Sequence, residues 1–242
     1  MKVDILGCGV DMVDMAGALE KVETFINAGT PHHVITLNAE IIYRAQNEPK
    51  LKKVINSAHL VTPDGAGVVW ASRRLGKPLQ ERVTGIDLTT ELAGKASQKG
   101  WKLFLYGAAP GVADEAAENL KKQHPGLQVA GTSHGYRKPE EMPDLIAEIK
   151  KAGPHILLVA LGAPRQEYWI REHLQETGVP VSIGVGGSFD VLAGRVERAP
   201  VWAQKAGLEW AYRLVKQPSR FKRMLALPKF ALKVINYNFK KR

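Results

Sequence analysis

Short apolar runs alternate with longer stretches whose apolar residues recur every three or four positions, and the alternation repeats along most of the chain. Lys2 to Gly7 alternates and then runs apolar, predicting a first strand. Met15 to Ile26 carries Leu19, Val22, Phe25 and Ile26 at helical spacing, and predicts a helix that ends at Gly29. His33–Leu37 predicts a second strand, and Asn38-Ala39-Glu40 opens another helix. Leu60-Val61 is a strand that stops at Pro63, where a backbone donor is lost, and an apolar-periodic stretch (Val68, Val69, Trp70, Leu75) follows Asp64-Gly65 at once. Arg82 to Asp87 leads into a helix running to about Lys99. Lys102–Gly107 is a strand, and Ala108-Ala109-Pro110-Gly111 starts a helix with proline near its first turn. Leu127–Gly131 is a strand closed by Thr132 to Tyr136, and Glu140 to Lys151 is helical. His155–Gly162 is the most apolar strand of all, as expected of a central parallel strand covered on both faces.

Strands alternating with helices predict βα units with right-handed crossovers, hence an α/β, doubly wound, mostly parallel Rossmann-like sheet. Three βα turns end on small residues: Gly107-Ala108-Ala109, Gly162-Ala163-Pro164 and Gly184-Val185-Gly186-Gly187. Together they predict a glycine-lined crevice at the carboxyl ends of the strands, where a nucleotide's sugar and phosphates can lie against backbone. Gly7-Cys8-Gly9 resembles the start of a dinucleotide fingerprint but lacks its third glycine, and a glycine turn leaving a strand is the simpler reading.

The 242 residues, 45% hydrophobic and 24% charged, suit one globular domain or a domain with an appendage. Met1 to Gly7 has no signal-peptide pattern, and no uncharged apolar run approaches the roughly 20 residues that span a bilayer. A soluble or peripheral protein is expected. The single cysteine, Cys8, excludes an internal disulfide and any cysteine-based metal cluster.

The net charge is +10, and its placement changes the picture. Of 34 basic and 24 acidic residues, the stretch from Ala199 to Arg242 holds eleven of the former and one of the latter, Glu209, so the body is neutral with 23 of each. That stretch also holds seven of the 17 aromatics, and Pro218 and Pro228 are expected to divide it into about three short helices. Arg213, Lys216, Arg220 and Arg223 would form one basic stripe on a helix. The chain is therefore divided into a core, 1–195, and a basic helical C-terminal appendage, 196–242. A basic, aromatic-rich amphipathic segment suits an anionic membrane surface; a merely solvated charged face is the plainer alternative. No nucleic-acid reader motif accompanies the charge, so nucleic acid is not the expected partner.

The candidate chemistry collects at strand ends. Asp64 stands on the turn after a strand, either as a helix cap or as a ligand-facing carboxylate. Thr36 and Asn38 point to one side at another strand end, as cap and turn or as bonds to a polar ligand. Arg82, beside a glycine at a helix entry, suits an anion, while Thr84 or Gly85 caps that helix. Gln166 faces the crevice from a first helical turn or is simply exposed. Phe189 stacks on a base or lies in the core, and Asp190 accepts from a ribose or base. The seven histidines show no metal-ligand spacing, and Asp-x-Asp, Gly-x-Ser-x-Gly and the phosphate-loop pattern are all missing, so no metal and no cofactor is expected.

Thr36-Leu37-Asn38-Ala39-Glu40, Pro63-Asp64-Gly65, Arg82-Val83-Thr84-Gly85, Leu161-Gly162-Ala163-Pro164-Arg165-Gln166-Glu167 and Gly186-Gly187-Ser188-Phe189-Asp190, in this order over nearly the whole chain, resemble the WecG/TagA/CpsF glycosyltransferase family. The resemblance implies transfer of an N-acetylmannosamine-type sugar from a UDP donor to undecaprenyl-diphosphate-linked N-acetylglucosamine, as in the branch that makes the linkage unit of wall teichoic acid. Relatives that use the uronic acid form of the donor share the motifs. It further implies Asp64 as general base, Thr36 and Gln166 as partners in the active site, and Arg213, Arg220 and Arg223 as cations that close over the site and meet the diphosphates. Asn38, Arg82, Thr84, Gly85, Gly107, Tyr136, Gly162, Gly187, Phe189 and Asp190 are the expected substrate contacts. No metal takes part in that family's reaction, and the place of work is the inner face of the cell membrane, with a homo-oligomer left open. Removing the chain from about Ala199 onward is expected to abolish activity and spare the core. A nucleotide-dependent oxidoreductase, or a non-catalytic membrane or nucleic-acid adaptor, are the alternatives from other classes.

Overall fold

The structure, a computed structural model, describes residues 1–216 and 221–240, the side chains of residues 213, 222, 223 and 238–240 excepted. Six strands form one parallel sheet: β3 (His32–Leu37), β4 (Leu60–Pro63), β5 (Lys102–Gly107), β6 (Gln128–Ser133), β7 (Ile156–Ala160) and β8 (Val181–Gly184), in the order β4-β3-β8-β7-β5-β6. The most apolar run is indeed an inner strand: β7 lies between β5 and β8 and is buried along its whole length. The connecting helices are α1 (Met15–Ala28), α2 (Ala39–Ala45), α3 (Pro49–Ser57), α4 (Ala66–Arg74), α5 (Gly85–Lys99), α6 (Val112–Gln123), α7 (Met142–Ala152), α8 (Arg165–Thr177) and α9 (Ser188–Leu192). Their apolar faces cover both sides of the sheet.

The first predicted strand is not part of this sheet. Lys2–Ile5 (β1) and Cys8–Asp11 (β2) form a separate antiparallel hairpin. Its turn residues Leu6 and Gly7 both have positive φ, 55° and 81°, as tight hairpin turns matching the strand twist require. Gly7-Cys8-Gly9 is therefore a hairpin turn clipped by Asn56, not a phosphate-binding loop. Asp11 at the end of β2 accepts a hydrogen bond from the Val61 N–H at 2.9 Å, so the hairpin covers the exposed edge of β4. Two boundaries also differ from expectation. Gly111 (φ +83°) caps α6, which starts at Val112, so Pro110 lies in the turn before the helix. Pro228 lies in the first turn of its helix, where its missing N–H has no intrahelical acceptor to lose.

The chain after α9 forms α10 (Val201–Lys205), α11 (Glu209–Lys216), α12 (Phe221–Met224) and α13 (Ala226–Lys240). Helix α13 packs on α2 and α4, and its Phe230 and Val234 are buried in the same cluster as Ile35, Leu37, Ile42 and Val68. The expectation that this segment can be cut away without harm to the core is thereby corrected: truncation at Ala199 would open the core to water. Phe230→Ala should lower unfolding free energy by about 3–5 kcal/mol, the usual cost of emptying a buried aromatic site. Denaturant unfolding checks this, and an unchanged midpoint would mean that α13 is only loosely attached.

His33 supplies a second test. Its imidazole is buried and neither ring nitrogen has a hydrogen-bond partner; burial first, then the nearby His59 and Arg171, lower its pKa from 6.5 to about 3. Between those two values the unfolded chain binds the proton and the folded one does not, so this group makes stability fall as pH drops from 6.5 towards 3. His33→Phe should flatten the dependence of melting temperature on pH in that window; identical slopes in the two proteins would exclude His33 as the source.

Candidate active site

A cavity opens beyond the carboxyl ends of β3, β4, β7 and β8, where open α/β sheets place ligands. Asp64 leaves β4 with its backbone N–H bonded to the Leu37 carbonyl (2.9 Å), while Val83 N–H holds the Pro63 carbonyl (2.8 Å). The N-cap position of α4 is Gly65, not Asp64. The Asp64 Oδ2 faces the N-terminus of α5 and accepts from the Gly85 N–H at 3.4 Å. The carboxylate thus lies toward the positive end of that helix.

Thr36, near the end of β3, donates to the Gly184 carbonyl at 2.8 Å and is buried. A Cβ on Gly85 would stand 3.2 Å from the Thr36 hydroxyl, a tight contact, so the α5 N-terminus lies close against the strand ends. Gln166, in the first turn of α8, is buried rather than exposed, and its Oε1 accepts from the Gly186 N–H at 3.0 Å. Thr36 and Gln166 thus hold the Gly184–Gly187 turn from two sides. Asn38 and Thr84 are caps that also face the cavity. Asn38 caps α2 through Ile41 N–H, Thr84 caps α5 through Asp87 N–H, and both line the cavity.

Arg82 reaches the cavity from the α5 approach and is bound from the C-terminal segment. Its Nη1 lies 3.1 Å from Glu209 Oε2, and its Nη2 donates to Gln204 at 3.5 Å. Gly207, Glu209, Trp210, Met224 and Leu227 complete the cavity wall, so the segment after residue 200 is packed against the site. Beneath it, Arg198 makes a two-pronged pair with Asp87 at 2.7 and 2.8 Å. Burial alone would raise the Asp87 pKa, but the Arg198 and Thr84 hydrogen bonds outweigh it and hold the carboxyl below its usual range.

The expected site residues divide accordingly. Thr36, Asn38, Asp64, Arg82, Thr84, Gly85, Gly162, Gln166 and Gly187 surround one cavity. Four others do not line it. Gly107 serves the packing of strand ends, since a Cβ there would come within 2.5 Å of the Ala160 carbonyl. Tyr136 is exposed beyond β6, at the far edge of the sheet. Phe189 is fully buried in the core among Ile183, Val185 and Leu192, so it is unavailable for stacking on a base. Asp190 uses its backbone carbonyl to receive the Arg195 and Val196 N–H groups behind the cavity. Arg220 lies outside the described residues; Arg213 and Arg223 belong to α11 and α12, but their side chains are likewise outside the description. Lys216 of the same stripe is paired with Glu197 at 2.9 Å.

Sequence reasoning missed Glu167, Trp210, Met224 and Leu227. Only Glu167 carried a signal, a charged residue at a position on α8 that faces the sheet.

A family model described as "Glycosyl transferase WecG/TagA/CpsF family" matches residues 3–242. Three similar proteins are all named N-acetylglucosaminyldiphosphoundecaprenol N-acetyl-beta-D-mannosaminyltransferase. The one from Bacillus spizizenii (strain ATCC 23059 / NRRL B-14472 / W23) is 41% identical over 215 residues, covering 88% of this chain and 82% of its own. That of Bacillus subtilis (strain 168) is 40% identical over 202 residues, or 84% and 78% of the two chains. That of Staphylococcus aureus (strain MW2) is 36% identical over 235 residues, or 96% and 92%. The chain belongs to the WecG/TagA/CpsF glycosyltransferase family.

Proposed function

We propose that this chain transfers N-acetylmannosamine from UDP-N-acetylmannosamine to undecaprenyl-diphosphate-linked N-acetylglucosamine, in one inverting displacement and without a metal. The observation that carries the reading is a half-buried carboxylate, Asp64, in the same cavity as Thr36, Gln166, the Gly186-Gly187 turn and the cation Arg82. The name shared by the three relatives supplies the sugar and the acceptor.

In this mechanism Asp64 takes the proton of an acceptor hydroxyl as that oxygen attacks the anomeric carbon. The bond from that carbon to the diphosphate breaks, and UDP departs with the electron pair. From an α-linked nucleotide sugar, one displacement gives the β-glycoside that the relatives' name specifies. The charge developing on the diphosphate needs fixed positive groups, and guanidinium suits phosphate because it donates in a planar fork. Arg82 has the placement for this, and Arg213, Arg220 and Arg223 are the further candidates from the family resemblance.

The acceptor is anchored in a bilayer, so the enzyme has to work at a membrane surface. No helix among the described residues is long and apolar enough to cross one. The C-terminal segment instead exposes Trp202, Val215, Phe221 and Leu232 beside its excess of cations, which suits docking on the inner, anionic leaflet.

The test is a panel of UDP-sugars with a short-chain prenyl-diphosphate-N-acetylglucosamine acceptor and a chelator present. UDP-N-acetylmannosamine should be consumed fastest, with no loss of rate on chelation. Preference for its uronic acid form would move the chain to another branch of the family, and a rate restored only by added divalent metal would reject the metal-free step.

A further inference from the structure

Glu167 follows Gln166 in the first turn of α8 and is completely buried. Its Oε1 accepts from Gln166 Nε2 at 2.9 Å, and its Oε2 is buried without a hydrogen-bond partner. Keeping a carboxyl half satisfied in the interior is costly, so its retention calls for a reason other than stability. Burial pushes its pKa up to about 7, against the downward pull of the Gln166 hydrogen bond, of its own backbone N–H and of Arg44 from α2.

The reason lies in what Glu167 does to its neighbour. A glutamine amide has an acceptor end and a donor end of nearly the same shape, and either can point a given way. Here the carboxylate demands the donor end and the Gly186 N–H demands the acceptor end. Gly184 leaves the space for this, because a Cβ there would stand 2.7 Å from Gln166 Nε2. One N–H of Nε2 is used on Glu167, which leaves the second uncommitted to Glu167 on a side chain that lines the cavity. We propose that Glu167 is a positioning residue: it fixes the amide of Gln166 so that the remaining N–H is presented, as a hydrogen-bond donor, to an oxygen of the bound nucleotide sugar. This rests on the site reading above, but the placement of the amide can be tested apart from it.

Two measurements decide it. In the first, the side-chain amide protons of Gln166, assigned by their loss in Gln166→Ala, are followed by NMR. The proton bonded to residue 167 should be protected from solvent exchange in the wild type and in Glu167→Gln, whose carbonyl can still accept, and should lose protection in Glu167→Leu. Equal protection in the leucine variant would overturn the proposal. The second is a double-mutant cycle on transfer rate. Glu167→Leu should keep or raise the melting temperature and lower kcat/KM about tenfold, the usual size of one lost hydrogen bond. Glu167→Gln should recover most of that loss, and adding Glu167→Leu to Gln166→Ala should cost nothing more. Full activity in Glu167→Leu, or an undiminished second loss in the double variant, would show that Glu167 does not act through Gln166. If the wild type transfers no sugar at all, the functional reading fails, and the exchange measurement alone decides the positioning claim.

Discussion

Asp64→Asn is expected to fold as the wild type does and to transfer sugar about 10²–10⁴-fold more slowly, the range associated with a lost general base. The fold should be spared because the Asp64 backbone, not its side chain, makes the bond to β3. The side-chain contact to the Gly85 N–H at 3.4 Å can be made equally by the amide oxygen of asparagine. What asparagine cannot do is take a proton. Donor binding should therefore survive while turnover collapses, and the two can be separated by calorimetry with UDP and by single-turnover kinetics. Wild-type turnover in Asp64→Asn would remove Asp64 from the reaction.

Arg82→Ala is the second large effect. Arg82 lines the cavity and is held by Glu209 and Gln204 from the C-terminal segment. If the leaving diphosphate draws on this guanidinium, its loss should lower turnover about 10²–10³-fold, as for removal of one oriented donor from a developing anion. Arg82→Lys should recover only part, because an ammonium keeps the charge but not the planar fork. Steady-state kinetics with UDP as product inhibitor would check both, since weaker UDP inhibition is expected alongside slower turnover. Turnover and UDP inhibition unchanged in Arg82→Ala would place the cationic help elsewhere.

The parallel sheet was legible because its strands announce themselves: a fully covered strand such as Ile156–Ala160 has no polar face, and its glycine-rich exits mark the carboxyl edge. The site was legible for a related reason. Thr36, Asp64 and Gln166 stand where a strand gives way to a helix, Thr84 where a loop does, and strand order brings those three strand exits to one cavity. The fourth junction, before α5, is brought there by Val83 pairing with the Pro63 carbonyl.

Where the sequence misled, the competing force was packing. Phe189 follows the Gly186-Gly187 turn as a stacking residue would, but the direction of α9 turns its ring into the core. Gly107 has the composition of a ligand turn and is explained by contact with Ala160. Lys2–Ile5 has strand periodicity, yet periodicity does not say whether the next strand returns antiparallel; the positive φ at Leu6 and Gly7 decides that. The C-terminal segment carried a charge signal strong enough to hide its packing signal. Phe230 and Val234, four apart on one helix face, are core residues, and the cavity wall formed by Trp210 and Leu227 depends on tertiary docking that no local pattern encodes.

The proton acceptor's identity is tested most directly by where the reacting atoms lie. A structure of Asp64→Asn with UDP-N-acetylmannosamine and a prenyl-diphosphate-N-acetylglucosamine analogue would trap both substrates before transfer. The account predicts an acceptor hydroxyl about 2.6–3.2 Å from the residue 64 side chain and about 3–3.5 Å from the anomeric carbon. An acceptor hydroxyl in line with that carbon but bonded to a different base, with residue 64 out of reach, would contradict it.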